Sequence, residues 1–179
     1  MKIILQEDQL LLSIKRLSHQ ILENHLELED TVIIGIQPRG TILSDKIVKE
    51  LQQILQKDTI PYGQLDITFY RDDIRQQLHI ANTTDIPFDM EGKSVILIDD
   101  VLWTGRTIRA ALDALLDFGR PKCVELCVLI NRRFGRELPI QANYIGKSID
   151  TFDSQKVKVH WKDFNADKNE VVLFEKEDN

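Results

Sequence analysis

Cysteine is scarce: Cys123 and Cys127 are the only two in 179 residues. That excludes a disulfide-stapled scaffold, and the lack of further ligands nearby argues against a metal pair. Both sit in "KCVELCVLI", which reads as a buried strand. They are expected to be core thiols in a reducing, cytoplasmic setting. Long apolar runs are missing too. "MKIILQEDQ" opens with a short apolar stretch that meets charge at once. It is too short for a signal-peptide core, and no other stretch can span a bilayer, so no membrane partner is expected. Positive charge is in deficit, with 23 Lys and Arg against 29 Asp and Glu, a formal net charge of -6. This argues against a non-specific nucleic-acid coat, although a local basic face can hide inside an acidic total. There is no internal repeat, low-complexity tract or linker. Residues 1–179 therefore read as a single domain, long enough to bury its own core.

What is present is an alternation of strands and helices. Leu10, Ile14, Leu17 and Ile21 recur at helical spacing, with Asp8 as the expected N-cap. "TVIIGI" (Thr31 to Ile36) is a β-branched apolar run and reads as a buried strand. "PRG" then turns the chain into a second amphipathic helix carrying Ile42, Ile47, Leu51, Ile54 and Leu55. "QLDITFY" alternates, which predicts a strand with Leu65, Ile67 and Phe69 inward. Arg71 to Gly92 is polar and aperiodic, and a loop of that length in a compact domain is usually functional or mobile. The strand "SVILID", a helix from about Arg106 to Phe118 and the strand "CVELCVLI" follow. Short strands are expected at "YIG", "KVKVHW" and "VVLFE". The order predicts an α/β fold with a mostly parallel sheet and helices on both faces.

The densest chemistry lies in "VILIDDVLWTGRT", Val95 to Thr107. Asp99 and Asp100 fall at the carboxyl end of the predicted strand, where open parallel sheets bind ligands. Two adjacent carboxylates there need a metal, a diol or a basic partner. Next comes "TGRT". Thr104 and Thr107 offer hydroxyls, Gly105 permits close backbone approach, and the first amides of the helix favour an anion. Acceptors followed by phosphate donors match the polarity of a sugar phosphate. A capped helix behind solvated aspartates is the plainer alternative. A nucleotide triphosphatase is another, because an apolar strand ending in Asp resembles a Walker B strand. Its P-loop candidate, "GIQPRGT", has Thr41 where the lysine must stand, so that reading is weak.

"VILIDDVLWTGRTIRAALDAL" resembles the phosphoribosyl-pyrophosphate motif of type I phosphoribosyltransferases. With "GIQPRG", "DITFYRDD", "GRPKCVELCVLINR", "RELPIQANYIGKSI" and "SQKVKV" in order, nearly the whole chain is similar to the PyrR family. Members of that family are pyrimidine-operon attenuators that are also uracil phosphoribosyltransferases. The resemblance implies the type I fold with a flexible flap and a small C-terminal hood. It implies transfer of a ribosyl phosphate from phosphoribosyl pyrophosphate to uracil, giving UMP. Asp99 and Asp100 then hold the ribose hydroxyls and Mg2+. Val101, Leu102, Trp103, Thr104, Gly105, Arg106 and Thr107 complete the 5′-phosphate end. Arg39 and Gly40 form the pyrophosphate loop, Arg39 acting in catalysis with the two aspartates. Arg71 reaches pyrophosphate from the flap, while Asp72 and Asp73 read equally well as a solvated turn. Trp103 stands where purine enzymes carry an aspartate, and an indole is no general base, so purines are disfavoured. The base is expected to meet the backbone near Tyr144 and Ile145.

The resemblance also implies a messenger-leader face in which Lys15, Arg16, His19 and Arg136 contribute. Two positions depart from the family pattern. Gly135 replaces a frequent histidine beside an apparent insertion, and Gln141 replaces an arginine. Weakened RNA binding is therefore expected, since each lost phosphate contact lowers affinity. A homo-oligomer is expected on the same resemblance. A nucleotide-sensing regulator without catalysis, or transfer to another base, stays open.

Overall fold

The computed structural model describes residues 1–72, 83–164 and 166–175. Its eight strands are β1 (Lys2–Leu5), β2 (Thr31–Ile36), β3 (Tyr62–Leu65), β4 (Ser94–Leu102), β5 (Cys123–Arg132), β6 (Tyr144–Ile149), β7 (Gln155–His160) and β8 (Glu170–Glu175). Three helices are α1 (Glu7–Asn24), α2 (Arg39–Leu55) and α3 (Arg106–Leu115). Strands β3-β2-β4-β5-β6 form one sheet in that order, every pair parallel. β2 is buried at all six positions, as an unbroken apolar run requires when helices cover both faces. α1 and α2 pack on one face through Leu10, Leu17, Leu43, Ile47 and Leu51. α3 covers the other through Ile108, Ala111, Ala114 and Leu115. Each fully buried Leu or Ile contributes about 1.5–3 kcal/mol over an exposed one. β2 and β4 are thereby held with their carboxyl ends side by side.

A second, antiparallel sheet has the order β1-β8-β7. The opening apolar run is thus a strand: Lys2 pairs with Leu173 and Ile3 with Val172. The hood expected from the C-terminal part alone is built from both ends of the described chain.

Three local expectations are corrected. The α1 N-cap is Gln6, whose amide donates to the Gln9 side chain at 3.1 Å, not Asp8. β3 stops at Leu65, and Phe69 is 85% exposed rather than inward. The cause is Asp66: its Oδ1 accepts the Thr68 amide at 2.9 Å and hydroxyl at 2.6 Å, starting a tight turn that takes the chain off the sheet. Of the two thiols, Cys127 is buried but Cys123 is exposed at the start of β5.

Candidate active site

Strand β4 carries Asp99 and Asp100 to the cleft, where both are buried, 7% and 4% exposed. The Asp100 amide donates to Asp99 Oδ1 at 2.9 Å. Among the described residues Asp100 Oδ2 is buried without a hydrogen-bond partner, with Arg39 Nε 3.6 Å away. Burial first, then the Asp100 charge, pushes the Asp99 carboxyl up to about 8. Burial also raises Asp100, against the opposing pull of Arg39. Such a pair is poised for a cation and polar hydroxyls. It suits Mg2+, which takes one or two carboxylates and fills its octahedron with water and substrate oxygens. Among the described residues no group of three His, Cys, Asp or Glu gathers for a metal, so a Mg2+ bound here would take its other ligands from water and substrate.

Past Leu102 the chain turns at Gly105, with φ of 94°, and enters α3 at Arg106. A Cβ at Gly105 would sit in van der Waals contact with Leu138 and Ile140, so it is the left-handed backbone rather than the space that selects glycine here. The amides of the first turn of α3 lack helical partners, which makes an anion site. Arg106 offers its backbone there, but its guanidinium is engaged elsewhere. Nε pairs with Glu137 and Nη1 with Asp72, each at 2.6 Å.

Arg39 is the first residue of α2, directly after the cis peptide Gln37–Pro38. Gly40 has a packing reason. A Cβ there would stand 2.6 Å from the Ile98 carbonyl and 3.1 Å from Asp99 Cα. The helix start therefore presses on the end of β4, which brings Arg39 to Asp100.

Asp99, Asp100, the Gly105 turn and Arg39, but not Gly40, which packs against β4, line a cavity of about 580 Å³. It includes Arg39, Arg71 and every residue from Asp99 to Ile108. A second basin of about 940 Å³ adjoins it, sharing Gln37, Pro38, Arg39, Ile67, Arg71 and Lys158. Asp72 sits outside the wall, paired to Arg106 and Arg109. Asp73 and most of the expected flap lie outside the described residues.

Sequence reasoning missed other lining residues: Arg132 and Glu137 beside the Thr104–Arg106 turn, and Lys156, Val157, Lys158 and Phe174 from the second sheet. Arg132 is buried; it donates to Thr151 Oγ1 at 2.7 Å and stacks its guanidinium 4.2 Å from the Trp103 ring centroid. The available signal was the "KVK" alternation in "SQKVKV", a strand that spaces two cations at i and i+2.

Tyr144 and Ile145, expected at the base, do not line this cavity. Tyr144 is buried at the start of β6, opposite Cys127. Its hydroxyl donates to Glu125 at 2.6 Å and accepts from Asn24 at 3.3 Å. His25 also reaches Glu125, at 2.8 Å. Burial pushes the Glu125 carboxyl up, but the hydrogen bonds from Tyr144 and His25 outweigh it and leave it below its ordinary value. The sheet's amino-end core thus consumes the tyrosine.

The expected RNA residues do not share one environment. Lys15, Arg16 and His19 are exposed on α1, at positions that lie on one side of a helix. Arg16 donates to the carbonyls of Ile145 and Gly146. Arg136 is half-buried beside the phosphate loop, with Trp103 and Asn131 as partners. Gly135 has φ of 79°, and a Cβ there would stand 2.6 Å from Trp103 Nε1, so a side chain is excluded in this loop.

A parallel sheet ending in an acidic pair, a glycine turn and a helix start, roofed by a small antiparallel sheet, defines a phosphoribosyl transferase. Residues 1–163 match the phosphoribosyl transferase domain family. The chain belongs to that family and, within it, to the PyrR proteins. It is 45% identical over 179 residues to the bifunctional protein PyrR of Actinobacillus pleuropneumoniae serotype 5b, covering 99% of this chain and 98% of that one. It is 41% identical to the PyrR of Pelotomaculum thermopropionicum, covering 95% and 94%. The hypoxanthine phosphoribosyltransferase of Trypanosoma cruzi shares the fold, with a TM-score of 0.73 at 17% identity, covering 99% and 98%. That of Staphylococcus aureus gives 0.66 at 22%, covering 83% and 77%. No helix among the described residues is long and apolar enough to cross a membrane.

Proposed function

We propose that the chain transfers the 5-phosphoribosyl group from phosphoribosyl pyrophosphate to uracil. The bond from ribose C1 to pyrophosphate breaks, the bond from uracil N1 to C1 forms, and the N1 proton is released, giving UMP and pyrophosphate. The observation that carries this reading is the linear order of charge along the cleft. Phosphate donors lie at Thr104 to Thr107, diol acceptors at Asp99 and Asp100, and a guanidinium for the leaving group at Arg39. With an oxocarbenium-like centre, the work is positioning plus stabilisation of the departing charge. Mg2+, held by Asp99 and Asp100 with substrate oxygens, supplies positive charge to the pyrophosphate. We place the base between Trp103 and the β7 wall at Val157 and Lys158, replacing the assignment to Tyr144 and Ile145. Family membership and Trp103 favour uracil. The test is a base panel of uracil, hypoxanthine, guanine and orotate, each with phosphoribosyl pyrophosphate and Mg2+. UMP formation alone is expected. Product from a purine, or from no base at all, would sink the reading.

A second role, UMP-responsive binding of a pyrimidine-operon messenger leader, is favoured by the relatives named bifunctional and by the exposed cations of α1. We expect it to be weaker than in a dedicated attenuator, for want of a cation at Gln141. We also propose a cytoplasmic homo-oligomer on the family resemblance; light scattering tests the assembly.

A further inference from the structure

The segment after β5 holds the phosphate loop from behind. Arg136 Nη1 donates to the Trp103 carbonyl. Its Nη2 donates to Asn131 Oδ1 at 2.8 Å and to the Arg132 carbonyl at 3.4 Å. One guanidinium therefore ties the end of β5 to the start of the phosphate loop. The next two amides repeat the grip one residue further on. Glu137 N and Leu138 N donate to the Thr104 carbonyl at 3.0 and 3.2 Å. Leu138 and Ile140 then pack against Gly105.

Peptide geometry turns this grip into a statement about the ligand. In a trans peptide the C=O of one residue and the N–H of the next lie in one plane and point in opposite directions. Drawing the Trp103 and Thr104 carbonyls towards Arg136 and Leu138 aims the Thr104 and Gly105 amides the other way. Released, the same two peptides can turn their carbonyls to the ligand, and an anion would meet acceptors instead of donors. Arg136 suits the task because a planar fork spans two acceptors at once, which an ammonium does not.

We propose that Arg136 is a positioning residue for the 5′-phosphate, orienting the peptides of the phosphate loop without touching substrate. This rests on the phosphoribosyl-transfer reading. It also gives Arg136 a role apart from the surface cations that the RNA resemblance groups it with, because its Nη1 and Nη2 donate to acceptors inside the protein.

The test separates the two anions that the cleft receives. Calorimetric titrations measure ribose 5-phosphate and, separately, magnesium pyrophosphate against wild type, Arg136→Ala and Arg136→Lys. A control is Arg133→Ala, whose arginine pairs with Asp150 on the surface. Arg136→Ala is expected to lose at least about tenfold in ribose 5-phosphate affinity, the scale of a charge-assisted hydrogen bond. Pyrophosphate, held at the Arg39 end, should change less than about twofold; lysine should restore only part of the loss, and Arg133→Ala should match wild type. Millimolar methylguanidinium added to Arg136→Ala should recover ribose 5-phosphate binding, a rescue that a variant merely damaged in folding does not show. Equal loss of both ligands without rescue, or unchanged ribose 5-phosphate binding, overturns the proposal. A wild type that binds neither ligand overturns the transferase reading beneath it.

Discussion

Arg39 and Asp100 face each other across the cleft, Nε to Oδ2, at 3.6 Å. That is an ion pair too long for a hydrogen bond. The guanidinium partly offsets the buried charge of Asp100, yet leaves the oxygen unsatisfied and both groups open to a ligand. On the proposed reading, a phosphoribosyl pyrophosphate entering between them would give each a better partner: anionic oxygens for Arg39, hydroxyls and Mg2+ for Asp100.

Arg39→Lys keeps the charge and loses the fork. Turnover is expected to fall about 10²-fold while the KM for phosphoribosyl pyrophosphate moves less than about threefold, because leaving-group charge peaks in the transition state. Steady-state kinetics in both substrates check this. A change confined to the KM for uracil would place Arg39 in the wrong subsite.

Asp99→Asn and Asp100→Asn should abolish activity yet stabilise the fold above neutral pH. Folding raises both carboxyl pKa values, Asp99 to about 8. A raised group contributes its full stability below the ordinary carboxylate value of about 4 and loses it as pH rises through the folded value. A neutral amide removes that loss. The gain expected at pH 8 is about 1–3 kcal/mol, a few degrees in Tm, and it should shrink towards pH 4. Thermal melts at the two pH values decide it, and a lower Tm at pH 8 would show the pair already compensated.

Tyr144→Phe should leave the KM for uracil unchanged. It deletes the hydroxyl that Glu125 accepts at 2.6 Å, at a cost of about 0.5–1.5 kcal/mol. Denaturant unfolding and a uracil titration give the two readouts. A rise in KM without loss of stability would return Tyr144 to the base site.

Gln141 is exposed. Gln141→Arg should strengthen binding to the cognate leader and steepen its salt slope by about 0.7–0.9, one phosphate contact. Filter binding at two salt concentrations, with and without UMP, tests this. Tight, leader-specific binding by the unchanged protein would show that position 141 does not matter.

The contiguous half of the cleft was legible because it is local. One strand end, one turn and one helix start occupy Asp99 to Thr107, and an apolar run followed by carboxylates and glycine is a pattern in the chain itself. Buried strands such as Thr31–Ile36 were legible for the same reason. The wall formed by Lys156, Val157 and Phe174 was not, because it meets the aspartates' cleft only after two sheets are placed against each other. Phe69 misled through its alternation with Leu65 and Ile67, which Asp66 ends by capping a turn. The surroundings of Tyr144 and Arg136 were illegible for another reason. Family likeness carried the residue types, while the neighbours that absorb their polar groups, Glu125 for one and the Trp103 carbonyl for the other, come from distant segments.

The pairing of Lys2 with Leu173 has a consequence for the order in which the cleft is assembled during synthesis. A ribosome releasing this chain delivers β2, β4 and α3, and with them the acidic pair and the phosphate loop, well before β8 exists. Until then β1 has no partner strand and β7 has no neighbour to hold it over the cleft. The nascent protein therefore passes through a stage in which the floor of the cleft exists but its roof does not. Closing that roof waits on a loop of nearly the entire polypeptide, the slowest kind of contact for a chain to find.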